Sequence, residues 1–172
     1  EGISFAIEDK LKIGRAFDDI GVHYIEAGNP GLNPKDLEFF KRMKSNPLKS
    51  AKLVAFGSTR RKGISVKDDS NVLSLLDADT PAVAIFGKCW DFHVTDIIMT
   101  STDENISMIY DTVSYFKSEG KEVISDGEHF FDGYKSNSEY AIKCLQAAKR
   151  AGADCIVLCD TNGGCMPYEI YE

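Results

Sequence analysis

The sequence predicts an α/β fold, a partial TIM (β/α)8 barrel, and three observations carry that prediction. Stretches of helical spacing alternate with short apolar runs along the chain. The runs show no polar alternation, as expected of parallel strands covered on both faces. Polar, chemically capable residues gather where each run ends. A doubly wound open sheet would satisfy the first two, but its ligands bind at the switch point of strand order, so only two or three strand ends should carry chemistry. In a barrel all strand ends converge on one mouth, and the third observation favours that architecture.

Ile13, Phe17 and Ile20 repeat at helical spacing and stop at Gly21, a residue suited to a left-handed helix end. The strand Val22 to Ile25 then ends in Glu26. Asn33-Pro34 opens a second helix through Leu37, Phe40 and Met43, with Asn33 as cap and Pro34 in the first turn. Lys52 to Phe56 is the next strand and gives way to Gly57-Ser58-Thr59-Arg60. A shorter helix covers about Asn71 to Asp77, before the strand Val83 to Gly87, which leads into Trp90-Asp91-Phe92-His93. Ile106, Ile109, Tyr110 and Val113 form a helix that ends near Gly120. The fourth strand breaks into a polar loop in the run Ser125-Asp126-Gly127-Glu128-His129-Phe130-Phe131-Asp132-Gly133-Tyr134. Ala141, Cys144, Leu145 and Ala148 precede Gly152, and the strand Cys155 to Cys159 ends in Asp160-Thr161-Asn162. Pro167 to Glu172 begins a further helix. Strand centres lie roughly 30 to 40 residues apart, the length of a βαβ unit.

No linker or composition shift divides residues 1–172, which read as one domain. About five βα units are too few to close a barrel, which takes roughly 250 residues. The chain therefore reads as part of a longer polypeptide.

With 43% hydrophobic and 27% charged residues, the composition is that of an ordinary globular domain. No window approaches the roughly 18 apolar residues of a membrane span, and no secretory leader is evident. The five cysteines are an odd number, and Cys155 and Cys159 lie within an apolar strand, which suggests reduced thiols and a cytoplasmic protein. Their alternative use is a zinc cluster. The net charge of −7 opposes nucleic-acid binding, because an acidic surface repels the phosphate backbone. The one dense basic run, Arg60-Arg61-Lys62, is either a solvated loop or a contact for an anionic substrate or cofactor phosphates.

Glu128 is the sharpest candidate, since a carboxylate at the end of a buried strand is costly without a partner or a task. Capping its loop or pairing with a cation would also explain it. Thr161 sits among glycines whose free N–H groups suit an anion, or else in a turn that caps the next helix. Glu26 alone is more often a salt-bridged rim residue, and a lone histidine such as His93 more commonly a hydrogen-bonded structural group. His129 follows Glu128 directly, so in an extended chain it points to the opposite face and is not assigned the same role. Asp126 or Asp132 with Glu128 could bind a cation, although two carboxylates seldom suffice.

Several blocks carry a more specific signal: Gly2-Ile3-Ser4-Phe5, Glu8-Asp9-Lys10-Leu11-Lys12-Ile13, Tyr24-Ile25-Glu26-Ala27-Gly28, Phe56-Gly57-Ser58-Thr59-Arg60-Arg61-Lys62-Gly63, Glu128-His129-Phe130-Phe131-Asp132-Gly133-Tyr134 and Cys159-Asp160-Thr161-Asn162-Gly163-Gly164. Together they resemble the isopropylmalate and homocitrate synthase family, in particular its citramalate-forming type. That resemblance implies a TIM-barrel acyltransferase of amino-acid biosynthesis (isoleucine, or leucine for its relatives) in which acetyl-CoA loses a methyl proton, the enolate attacks the ketone of pyruvate, and the thioester is hydrolysed to citramalate and CoA. It makes Glu128 the group acting near the thioester methyl and Thr161 the donor to the keto-acid carboxylate. Glu26 would arrange the surroundings of substrate and metal, with His93 nearby and Arg60 available to an anion. A divalent metal (Mg, Mn or Zn) would polarise the keto oxygen. The family's ligands, an Arg-Asp-Gly aspartate on the first strand and a His-x-His pair on the seventh, have no counterpart here. The chain would thus lack the first strand and the last two, hold no metal ligand, and be inactive alone, while the full-length protein would be a homodimer. The alternatives are a 2-isopropylmalate synthase using 2-oxoisovalerate and a non-catalytic α/β domain binding a small anion.

Overall fold

A computed structural model describes residues 4–172. Glu1 to Ile3, which include the start of the first block above, lie outside the described residues. Five strands, β1 (Tyr24–Glu26), β2 (Lys52–Ser58), β3 (Ala82–Lys88), β4 (Glu122–Glu128) and β5 (Cys155–Leu158), form one sheet in the order β1-β2-β3-β4-β5, every neighbouring pair parallel. Sequence order equals spatial order, so there is no switch point and an open doubly wound sheet is excluded.

Among the described residues seven α-helices precede, connect and follow the strands: α1 (Ile7–Asp19), α2 (Pro34–Ser45), α3 (Ser70–Asp77), α4 (Thr102–Ser118), α5 (Phe130–Ser136), α6 (Ser138–Ala151) and α7 (Pro167–Tyr171). Their ends follow local chemistry. The Asn33 side chain accepts from Lys35 N at 3.0 Å, and Pro34 occupies the first turn, where its missing N–H costs nothing. Ser101 caps α4 through Glu104 N, and Gly152 ends α6 at φ 96°. The cap of α3 is Asp69, so the helix begins one residue earlier than the apolar periodicity suggested, and the Asp69 carboxylate accepts from Asn71 N and Val72 N.

The two faces of the sheet are distinct. Ala55, Val83 and Val123 share one row and pack with Phe39, Phe40, Met43, Leu75 and Phe116 from the helices. The adjacent rows, Val54 with Ala82 and Phe56 with Ala84 and Ile124, form a separate cluster that contains no helical residue. All crossovers thus cover one face, and the other is the lining of a hollow. That the sheet is curled is shown by Tyr24 on β1, whose hydroxyl donates to Glu122 Oε1 on β4 at 2.5 Å. In a flat sheet, strands three steps apart lie roughly 14 Å from each other. Lys52 on β2 reaches the same carboxylate at 2.5 Å, so β1, β2 and β4 meet across the concave side. The fold is an incomplete (β/α) barrel, and the expected architecture is the one observed.

Two elements were not expected. The block Glu128 to Tyr134 is not a polar loop: Glu128 closes β4, and Phe130 to Ser136 form α5, whose Phe130 and Phe131 are buried. A π-helical turn spans His93–Ile97 and is anchored by the buried Val94. Both are short, and periodicity over so few residues gives little helical signal. Among the described residues no helix is long and apolar enough to cross a membrane.

Candidate active site at the strand ends

Because every strand is parallel, the C-terminal ends of β1 to β5 open on one side of the curled sheet. Glu26 is the last residue of β1 and Glu128 the last of β4; both Glu128 and Asp126, two residues before it, lie in the hollow-facing rows. The convergence can be read from Cys159, just beyond β5. Its thiol is pushed up to about 11, by burial first and then by Asp126, Glu128 and Glu26. Side chains from β1, β4 and β5 therefore act on one point, and Cys159 is a protonated thiol at neutral pH rather than a nucleophile. Glu26 is exposed along its length, yet its carboxyl is pushed up by desolvation against the wall of the hollow and, secondarily, by Asp126. Burial alone pushes Asp126 up. The cation among these acids is Lys88, which ends β3, forms an ion pair with Glu128, and lies over the Phe86 ring at 5.6 Å.

Beside Glu128 stands an aromatic and imidazole cluster. The His93 ring lies 4.5 Å from the His129 ring, edge to face, and 4.8 Å from Trp90. His93 Nδ1 is buried without a hydrogen-bond partner. Desolvation, His129 and Lys88 together hold the His93 imidazole below its usual value, against the pull of the Glu128 and Asp132 carboxylates. His129 is in the cluster, contrary to the expectation from strand alternation. Its backbone is left-handed (φ 53°), so the chain turns at the strand end and the period of two no longer applies. That conformation costs a non-glycine residue roughly 1–2 kcal/mol. Three contacts hold it: His129 N–H donates to Thr161 Oγ1 at 2.9 Å, Phe130 N–H to Cys159 O at 3.1 Å, and His129 Nδ1 pairs with Asp132 Oδ2 at 3.1 Å. Asn162 Nδ2 also donates to Asp132 Oδ2, at 3.0 Å. The exposed Thr161 uses its oxygen as an acceptor there, which leaves its hydroxyl hydrogen free to donate to a carboxylate.

The structure thus brings Glu128, His93 and Thr161 together through His129, and places Glu26 across the same hollow. It does not place Arg60 with them as a free cation. The Arg60 side chain is only 8% exposed and donates through Nε to Asp111 at 2.9 Å and through Nη1 to Glu104 at 2.7 Å, both on α4, with Nη2 2.8 Å from Asp111. Its charge and donors are committed to the scaffold, because two helical carboxylates and the Arg61 carbonyl meet the guanidinium from one side. Arg60 therefore braces the β2 loop on α4 instead of offering itself to an anion. Arg61 is likewise held by Asp69, and Lys62 by the Ile98 and Met99 carbonyls. A cavity of about 450 Å³ lies under this loop, walled by apolar surface from Phe86, Ile98 and Met108 and bordered by Lys88 and by the already engaged Arg60, Arg61 and Lys62.

Lys88 was passed over in the sequence, Asp126 and Asp132 were weighed there only as cation partners of Glu128, and Asn162 was not singled out. The places of Lys88 and Asp126 could have been found, since Ala82, Ala84, Phe86 and Lys88, like Ile124, Asp126 and Glu128, follow the period of two. Among the described residues no group of three or more His, Cys, Asp or Glu stands close enough to hold a metal ion. The carboxylates make the hollow acidic but do not amount to a ligand set.

A family model described as HMGL-like matches residues 1–172. The chain is 58% identical over all its 172 residues to an (R)-citramalate synthase of Aquifex aeolicus (strain VF5), and 54% identical, again over its full length, to an (R)-citramalate synthase of Geobacter sulfurreducens. It covers 33% of each of these proteins, so it spans about a third of the length of the curated relatives it matches. Among solved structures, an HMG-CoA lyase from Bacillus subtilis matches 99% of this chain with a TM-score of 0.77 at 17% identity, the chain covering 56% of it. That likeness bears on the fold.

Proposed function

The chain belongs to the HMGL-like family, and from that premise we propose that the full-length protein is an acyltransferase that condenses acetyl-CoA with pyruvate to citramalate. The observation that carries the reading is the convergence of Glu26, Glu128, His93 and Thr161 on one mouth, in a chain more than half identical to two (R)-citramalate synthases. Glu128 takes part in removing the methyl proton of the thioester, with Lys88 beside it as its ion-pair partner. Thr161 donates to the pyruvate carboxylate, while Glu26 and His93 border the pocket. Arg60 is left out of the binding set. The cavity under the β2 loop has the apolar lining that a thioester arm would need.

In this reading the remaining strands, the first and the last two, come from the rest of the full-length polypeptide. The sheet supports this: β1 and β5 are paired on one side only, and Tyr24, Val157 and Leu158 at those edges are exposed. A divalent metal belongs to the same proposal, supplying the polarisation of the keto oxygen. The described residues do not hold it by themselves. The resemblance adds a homodimer, and the five free cysteines accord with the cytoplasm. The choice of pyruvate over 2-oxoisovalerate rests on the relatives' names.

The test is turnover of the full-length protein, followed as CoA release with pyruvate and, in parallel, with 2-oxoisovalerate. Pyruvate should be preferred, and Glu128→Gln should lower kcat by about 100-fold or more with circular dichroism unchanged. Undiminished turnover in Glu128→Gln removes Glu128 from the mechanism; preference for the larger keto acid transfers the reading to isopropylmalate formation.

A further inference from the structure

Condensation and thioester hydrolysis make different demands, and Glu128 with its Lys88 partner answers only the first. Hydrolysis needs a base that can take a proton from water and pass it to the departing sulfur. The described residues contain one imidazole built for such a role. His129 Nδ1 lies 3.1 Å from Asp132 Oδ2, and that carboxylate is itself held by Asn162 at 3.0 Å. A carboxylate at Nδ1 keeps the hydrogen there and leaves Nε2 as the basic nitrogen, the arrangement by which an imidazole is oriented as a general base. Among the described residues Nε2 makes no hydrogen bond, and it is not among the buried atoms lacking a partner, so it is open to water. The ring is also immobilised. Its backbone is pinned in the left-handed region by Thr161, and the His93 ring packs against it edge to face at 4.5 Å. Such a conformation persists only where its surroundings over-determine it, which gives the strain at this residue a use. The charged and titratable groups around it are Asp132 on α5, Glu128 on β4, Lys88 on β3 and His93 on the π-helical turn.

We propose that His129, oriented by Asp132, is the general base that activates water for hydrolysis of the citramalyl thioester, a role separate from that of Glu128 in the condensation. The inference rests on the reading that the full-length protein forms citramalate. The step balances without another reactant. Water loses a proton to Nε2 as its oxygen bonds to the thioester carbonyl carbon, the carbon–sulfur bond breaks, and the leaving sulfur recovers the proton from the imidazolium. The products are a carboxylic acid, which ionises in solution, and free CoA. Asp132 is a positioning residue, acting through the imidazole.

The experiment uses the full-length protein and two variants, His129→Asn and Asp132→Asn. Asparagine tolerates a left-handed backbone, and Asp132→Asn keeps the side-chain shape, so at least one variant should fold; circular dichroism checks both. Three readouts are taken with acetyl-CoA and pyruvate: CoA release, wash-in of deuterium at the acetyl methyl from heavy water, and the acyl-CoA species recovered after acid quench by mass spectrometry. Both variants should release CoA about 100-fold more slowly or worse, exchange the methyl hydrogens within about threefold of the parent rate, and accumulate citramalyl-CoA. Loss of turnover without that adduct, or unimpaired CoA release, would overturn the inference while leaving the proposed function in place. A parent protein that makes no citramalate would overturn the proposed function and this inference with it.

Discussion

Gly133 is where packing and the site meet most tightly, and Gly133→Ala is the sharpest test of the architecture. A Cβ at this position would lie 2.3 Å from the Cys89 carbonyl oxygen and 2.9 Å from Trp90 Cα. Both are backbone atoms of the segment between β3 and the π-helical turn, which has no flexible end to move aside. Ordinary carbon contacts lie near 3.5 Å, so α5 must retreat by roughly 1 Å. Forced overpacking of that kind costs about 1–3 kcal/mol, partly offset by about 1 kcal/mol for alanine in place of glycine in a helix. The same substitution at Gly14 in α1 is the control. There the Cβ would meet Phe39 Cζ at 3.8 Å and Met43 Cε at 3.9 Å, ordinary contacts, and alanine should add about 0.5–1 kcal/mol. Urea unfolding of the full-length protein should show the Gly133→Ala midpoint below the parent and the Gly14→Ala midpoint at or above it, the two separated by about 1 M for typical denaturant slopes. Turnover should fall only in Gly133→Ala, because its retreat carries His129 and Asp132 away from His93. Equal stability of the two variants would show that α5 is not seated on Cys89 and Trp90 as described.

Asp18 and Arg60 supply the remaining tests. The Asp18 carboxylate accepts from Lys49 N, Ser50 N, Ser50 Oγ and Ala51 N, and these bonds hold it far below the usual carboxylate range. Its folded value lies under the unfolded one, so its stabilisation is complete above about pH 4 and is lost as pH falls below that. Asp18→Asn should therefore be less stable than the parent at pH 7, and the gap should narrow toward pH 3; a gap that does not change with pH refutes the account. Arg60→Met should destabilise by about 1–3 kcal/mol, discounted from a fully buried pair because Glu104 and Asp111 reach solvent. Its KM for pyruvate should stay within about twofold, and a tenfold rise would return Arg60 to the binding set.

Much of the helix and strand pattern was legible because it rests on local rules. The Asn33-Pro34 helix start and the glycines after α1, α4 and α6 obey chemistry confined to a few neighbouring residues. Where a longer-range contact decides the backbone, local reasoning failed. His129 was placed on the wrong face because its left-handed turn is held by Thr161 and Cys159, some thirty residues further along. Arg60 looked like a free cation because the carboxylates that occupy it, Glu104 and Asp111, lie 44 and 51 residues further along on α4.

The sequence by itself determined the alternation of units, the apolar character of the strands and the identity of the residues at their ends, since each depends on side-chain pattern along a short stretch. Only the tertiary structure decided that the sheet curls, for curvature is a relation among strands, visible when Tyr24 on β1 reaches Glu122 on β4. The same curvature decided which polar groups face one another across the hollow, while packing against α4 decided that the donors of Arg60 are already engaged.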